Sequence, residues 1–455
     1  MALFTSGLGF YLYGLRKWGR VAAFTGAIFY VSAPQLTNLV YFGGIAALFA
    51  QPLMPLGLHL TDRAIERSRW IAALAVFWAV VALTHVPSLL LCTIAWVIYL
   101  LILMLKQSWK RILPLFAAAG VGFGLASFFL LPAVFEQSFA NIKALKAVNG
   151  GFQANMIGSG QLQLLPLSQI SKMAYIYVHQ GAAIAVFSTI ALICCWKQRS
   201  RVWGALGFAI ALAFMMSVLS TPIWQASSTL QMVQFPVRLL GMFALAGAIL
   251  AAIAVQGLRS LKWRVSLILS ILIVAVIVAN FKYSLDLSRR LPTLNRPGQG
   301  KVVNLEAIKE IVDNPYQDNL IDLPEYRPLL KNPDSTIPTP ILGQPLILFV
   351  TPPAASIELK EWKSLYRSFK VTTPTPAIVR LRTYYYPAWQ ARANQKNLPI
   401  EMANDGTIEL KLPAGTSDVK LWYGWTPVFT IGVVLSSLSA IAIVSFWIVS
   451  SKAPQ

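Results

Sequence analysis

The sequence predicts a polytopic α-helical membrane protein of about eleven spans, with an extracytoplasmic β-sandwich-like domain just before its last span. Three observations predict this. Apolar residues make up 56% of the chain and charged residues 12%, roughly half the charge of an ordinary soluble domain. Nineteen of the 38 Lys and Arg precede residue 281, and fifteen of these fall in five short clusters between apolar runs. Of the 17 acids, only Asp62, Glu66 and Glu136 precede residue 281.

The clusters occupy residues 16–20, 63–69, 106–111, 197–201 and 259–264. They follow the positive-inside rule for cytoplasmic loops and do not form a continuous phosphate-tracking face, so the net charge of +21 does not make nucleic acid a partner. Between consecutive clusters the chain must leave the cytoplasmic face and return. Residues 21–33 and 44–60 form one hairpin, turning at 34–43; residues 70–82 and 87–104 form another, turning at 84–86. Residues 112–131 go out and 173–195 return; residues 202–220 go out and 239–258 return around 221–238. Residues 265–280 then exit, and 428–450 bring the chain back. Several runs are shorter than the roughly 20 residues a straight span needs and are expected to be half-helices lining a cavity. Residues 2–15 form a further short span whose charges, Arg16 and Lys17, follow it. A secretory signal carries charge before its apolar stretch, so the N-terminus is expected to lie outside. A short opening span with almost nothing before it reads as a chain that begins in the middle, and an N-terminal part is expected to be missing.

The domains expected are 1–280, transmembrane; 281–340, an irregular and helical connector with a short helix at 303–312; 341–425, β-rich; and 426–455, a last helix with a short tail. Strands are expected at 356–360, 365–371, 377–386 and 407–412 from β-former content and alternation, whereas 346–350 is apolar throughout, so alternation does not confirm a strand there. Turns are expected at 403–406 and 413–415, and short strands at this spacing suggest a small sandwich. Cys92, Cys194 and Cys195 lie in apolar runs and read as buried small residues, leaving no disulfide framework.

Several stretches resemble one family. Residues 384–392 (YYYPAWQAR), then Leu398-Pro399-Ile400, residues 406–412, Pro413-Ala414-Gly415 and Thr426-Pro427, resemble the C-terminal signature of bacterial membrane proteins with a 6-pyruvoyl-tetrahydropterin synthase-related domain. The related lipoteichoic-acid glycosylation family shares it. Gln234-Phe235-Pro236-Val237-Arg238-Leu239 is similar to a Q-F-P-W-R-L element with Val in place of Trp. Leu83-Thr84-His85-Val86-Pro87 and residues 128–137 (FFLLPAVFEQ) match two more. The resemblance implies a GT-C-like architecture in a bacterial cytoplasmic (inner) membrane. The activity it implies is transfer of sugar from a polyprenyl-phosphate donor to cell-envelope glycan, not pterin chemistry. Two departures argue against catalysis by this chain: the acidic outer loop of relatives is absent, and Phe42-Gly43-Gly44 through Leu48 lacks their Arg-Gly and Glu. The alternative is a non-enzymatic scaffold or lipid-linked-glycan transporter.

Transfer from a lipid phosphate needs a cation to hold the phosphate. It also needs a carboxylate, either to deprotonate the acceptor or to hold a divalent metal, the one cofactor such chemistry would use. Arg238, with Gln234, is the candidate phosphate-binding pair; the bland reading of Arg238 is a snorkelling helix anchor. Glu136 and His85 are the candidate catalytic groups. Against them stand a solvated loop acid and a packed turn histidine. His59 and His179 read as packing residues, and Lys143, Lys146 and Lys172 as solvated loop charges. Residues 384–386 and Trp389 read as core aromatics before sugar contacts. Gly120 and Gly124 have the GxxxG spacing of close helix packing.

Overall fold

The computed structural model describes residues 1–41, 44–141, 151–159, 162, 172–195, 199–289, 328–330, 346–351 and 356–452. The chain forms two compact units. One comprises Met1–Leu130, Lys146–Leu294 and Leu435–Gln455; the other comprises Leu131–Leu145 and Asn295–Val434. The helix expected at 303–312, Phe42-Gly43, Lys143, Lys146 and the side chain of Lys172 lie outside the described residues.

The helices are α1 (Ala2–Trp18), α2 (Arg20–Val31), α3 (Pro34–Tyr41), α4 (Ile45–Leu48), α5 (Met54–Glu66), α6 (Trp70–Thr84), α7 (Val86–Met104), α8 (Trp109–Leu125), α9 (Ser127–Phe135), α10 (Lys172–Cys194), α11 (Arg199–Met216), α12 (Leu240–Leu258), α13 (Trp263–Arg289) and α14 (Pro427–Lys452). Five stretches are long and apolar enough to cross a bilayer: α7, α10, α12 with its leading turn, α13 and α14. The pair α8–α9, bent by 79°, would make a sixth. The described residues therefore support several spans, and by this measure fewer than the eleven expected from charge alternation.

Helix α12 is the centre of its unit. Small residues recur along it, and 83% of its most apolar stretch is buried, against 11% for α13. A Cβ on Gly26 of α2 would lie 2.8 Å from the Ala248 carbonyl of α12, so only glycine permits that approach. Of the glycines near the GxxxG spacing, Gly120 faces open space, whereas a Cβ on Gly122 would collide with the Ala75 carbonyl of α6 and lie 2.9 Å from Trp78 Cβ. Close packing between α6 and α8 thus runs through Gly122. At the α8–α9 bend, Ser436 of α14 lies 3.2 Å from the Gly124 carbonyl and 3.1 Å from the Phe128 N–H. A neighbouring helix thereby occupies backbone groups that the bend frees.

Three segments differ from expectation. Residues 34–41 are helical rather than a turn, because Pro34 sits at the first helical position, where its missing N–H costs nothing. Residues 44–60 form no single run: a 3₁₀ turn at Gln51–Leu53 separates α4 from α5, with Pro52 and Pro55 at the two starts. Helix α13 continues past Asn280 to Arg289.

The basic clusters gather at one end of this unit. Lys17 pairs with Asp62 at 2.9 Å, Arg63 with Glu66 at 3.1 Å, and Arg16 also reaches Glu66. Gln107 lines the same cavity of about 290 Å³ as these groups. The Arg201 charge acts on Lys17, and the Arg259 guanidinium reaches within 4.0 Å of the position of a Cβ on Gly19.

The second unit is an antiparallel sandwich of β1 (Ile347–Thr351), β2 (Ser356–Trp362), β3 (Tyr366–Thr373), β4 (Ala377–Tyr384), β5 (Trp389–Ala393), β6 (Lys396–Leu398), β7 (Ile400–Met402), β8 (Thr407–Leu412) and β9 (Gly415–Tyr423). One sheet runs β1-β4-β8-β7 and the other β2-β3-β9-β5-β6. Alternate residues Val379 and Leu381, Ile408 and Leu410, and Val419 and Leu421 are fully buried and close a single core. The four expected strands are present, and the apolar run at 346–350 contributes β1. Strands β5, β6, β7 and β9 were not anticipated, because their apolar positions are diluted by charge. Gly406 and Gly415 take positive φ at the two expected turns, and Asn394-Gln395, with φ of 48° and 66°, turns β5 into β6.

Candidate functional site

The site candidates of the helical unit lie at the end away from the basic clusters. Residue 238 precedes α12, whose other end meets Arg259; residue 85 joins α6 and α7, whose far ends meet Arg69 and Lys106. Phe235 is extended, as a residue before proline must be. Gln234 takes φ of 63° and is buried. Pro236 opens a 3₁₀ turn, Pro236–Leu239, that leads into α12.

This turn holds Arg238 in place. Its guanidinium donates to the Val233 carbonyl and lies over the Phe235 ring, 4.9 Å from the centroid. No carboxylate among the described residues pairs with it. A cation at a helix N-terminus is misplaced, since unpaired N–H groups leave about half a positive charge there. An anion set before α12 would remove that repulsion and meet both the guanidinium and the helix end.

His85 is the N-cap of α7. Its Nδ1 accepts the Ser88 N–H at 3.2 Å and lies 2.7 Å from Ser88 Oγ. With Nδ1 accepting, the ring proton rests on Nε2, which is left to donate elsewhere. The Arg238 charge acts on His85, which places the two groups in one neighbourhood.

Glu136 belongs to the β unit and is 7% exposed. It accepts a hydrogen bond from the Tyr386 hydroxyl. Burial, then the Glu136 carboxylate, raises the Tyr386 pKa, so the phenol remains a donor. Tyr386 stacks on Tyr423 at 6.0 Å, and Trp389 meets Tyr423 edge-on at 5.3 Å. Arg367 lies between Trp362 and Trp389, 4.7 and 5.0 Å from their centroids. Tyr385, Tyr386 and Trp389 therefore work in packing, whereas Tyr384 is exposed, and Glu136 has a fixed partner.

Sequence reasoning overlooked other groups at the same end of the helical unit. Asp286 is a half-buried carboxylate on α13; a composition boundary drawn at Asn280 had assigned it to the soluble part. Gln35, Asn38, Gln180 and Asn280 are buried amides, and the first three each have at least one unpartnered polar atom among the described residues. His179, expected to be a packing residue, packs against Tyr175 and Tyr283 and meets the Asn280 side chain. Their signal was present in the sequence as uncharged polar residues inside apolar runs. The described residues contain no group of three His, Cys, Asp or Glu placed to hold a metal ion, so their donor set does not fit the divalent metal considered above.

A model of membrane proteins described as a 6-pyruvoyl-tetrahydropterin synthase related domain matches residues 1–287. The match thus runs from α1 nearly to the end of α13 and stops before the β strands and α14. No curated protein and no solved structure matches the chain.

Proposed function

The chain belongs to the family of membrane proteins with a 6-pyruvoyl-tetrahydropterin synthase related domain, and from that premise we propose that it binds a polyprenyl-phosphate-linked sugar and transfers the sugar to cell-envelope glycan. The observation that carries this reading is Arg238: a half-buried guanidinium, stacked on Phe235, unpaired with any described carboxylate and set against a helix N-terminus. Such a group is complementary to a phosphate at the membrane interface. In this reading the end bearing the basic clusters faces the cytoplasm of a bacterial inner membrane, by the positive-inside rule. Arg238, His85 and residues 281–425 then lie on the outer side, where a GT-C-like transferase meets its lipid donor. Gln234 shapes the turn, and the Nε2–H of His85 donates to a second phosphate oxygen.

A second reading, a non-enzymatic scaffold or lipid-linked-glycan transporter, is favoured by the carboxylates. Asp62 and Glu66 are ion-paired at the basic end, and Glu136 is held by Tyr386. The described residues supply neither Glu136 nor Asp286 with an ion pair.

The test uses the full chain in nanodiscs. Binding of polyprenyl phosphate but not of polyprenol is expected, and equal binding of the two would refute the phosphate reading. Release of labelled sugar from a panel of polyprenyl-phosphate sugars onto envelope glycan separates transferase from scaffold.

A further inference from the structure

Among the described residues, α3 and α10, both packed against α13, carry a concentration of unpartnered buried polar atoms. Asn280 and Ser284 hold α13 to the break between α2 and α3: Asn280 Nδ2 donates to Ser32 Oγ at 3.0 Å and to the Phe29 carbonyl at 3.3 Å, and Ser284 Oγ donates to the Ser32 carbonyl at 2.6 Å. Asn38 Nδ2 reaches Met173 Sδ of α10 at 3.2 Å. These bonds leave over Asn38 Oδ1, Gln35 Oε1 and both polar atoms of Gln180, and the Asn280 side chain also meets His179. Gln35, Asn38, Gln180 and Asn280 are 2% exposed or less. Water at membrane depth is scarce, and a buried polar group without a partner opposes folding.

An aromatic group adjoins them. Tyr175 and Tyr283 have ring centroids 4.9 Å apart, and His179 lies 5.4 Å from Tyr283. Tyr175 is 44% exposed although it sits on an apolar helix.

The character of the uncommitted atoms decides the ligand class. An anion would require donors throughout, and a cation acceptors throughout. Here neutral acceptors and neutral donors are mixed, Gln180 offering both, beside aromatic faces. Hydroxyl groups, which donate and accept at once, complement such a set, and the C–H face of a sugar ring complements the aromatic rings. We infer that the polar surface shared by α3, α10 and α13 binds the sugar of the lipid-linked saccharide. This rests on the reading of Arg238 as the phosphate-binding group and adds the glycone subsite to it.

The test compares the full chain, Gln180→Met and Asn38→Leu in nanodiscs, with three probes: polyprenyl phosphate, a polyprenyl-phosphate hexose, and a soluble methyl hexoside. The wild type is expected to bind the glycosylated lipid at least about tenfold more tightly than the sugar-free one, the gain of one or two net hydrogen bonds. Both variants should lose that gain, bind sugar-free lipid within about twofold of wild type, and melt no lower without ligand, since each removes a buried polar atom without a partner, and Asn38→Leu gives up only the weak bond to Met173 Sδ besides. Retention of the sugar-dependent gain by both variants would overturn the inference, as would a ligand-free drop in melting temperature of both, which would assign the amides to the fold. A wild type that binds both lipids equally would overturn it while sparing the Arg238 reading. Binding of the methyl hexoside alone, weakened in Gln180→Met, would sink the lipid reading and keep a sugar site; binding of none of the three would sink both.

Discussion

Replacing Arg238 separates a phosphate ligand from a helix anchor. A guanidinium carries five N–H donors, and the Val233 carbonyl engages one nitrogen, so the other donors remain to form a bidentate fork on phosphate. Charge-assisted hydrogen bonds contribute about 1.5–3 kcal/mol each. Arg238→Ala loses the fork entirely, and a loss of about 3 kcal/mol weakens polyprenyl-phosphate binding roughly 150-fold. Arg238→Lys keeps the charge but loses the planar fork and the stack on Phe235; a loss of about 1.5 kcal/mol corresponds to roughly tenfold. Stability should hardly respond. Arg238→Ala gives up one hydrogen bond of about 1 kcal/mol and removes a cation from the positive end of α12, where the repulsion is about 0.3–1 kcal/mol. The assay is titration of nanodisc-embedded chain with polyprenyl phosphate, with a thermal melt run beside it. Unchanged binding in both variants, or a melt several degrees lower in Arg238→Ala with binding intact, would show that the residue only anchors the helix.

Three further outcomes follow from named contacts. Gly122→Ala should lower the melting temperature, because overpacking against the Ala75 carbonyl costs about 1–3 kcal/mol, whereas Gly120→Ala, facing open space, should be neutral or stabilising; equal effects would mean that α6 and α8 do not meet at Gly122. Glu136→Gln and Tyr386→Phe should be coupled in a double-mutant cycle on stability by roughly 1–3 kcal/mol while leaving lipid binding unchanged, and additive effects would show that their hydrogen bond contributes nothing. The three native cysteines are buried, so single cysteines at the exposed positions Ser356 and Ser200 can report sidedness: an impermeant thiol reagent applied to intact cells should label residue 356 and spare 200, and the reverse pattern would invert the orientation.

Much of the architecture was legible in the sequence because its signals are local or additive. Apolar runs and the charge of the loops between them located nearly every helix and separated the helical part from the β-rich one. Turn chemistry at residues 403–406 and 413–415 marked two β turns, and the strands with clear alternation lay where expected. The QFPVRL element marked a structured turn at the head of α12, since Pro236 restricts its neighbours wherever it occurs. Other features depend on groups distant in the chain. Whether Gly120 or Gly122 forms the close contact is a question of which face meets Ala75, and spacing alone does not fix that face. Glu136 reads as a free base until Tyr386, 250 positions later, is placed against it. The buried amides of Gln35, Asn38, Gln180 and Asn280 form a common polar surface only once α3, α10 and α13 pack together. A single polar residue in an apolar run carries no information about its partners, because hydrogen bonding is decided by distances of about 3 Å between atoms that only the tertiary fold brings together.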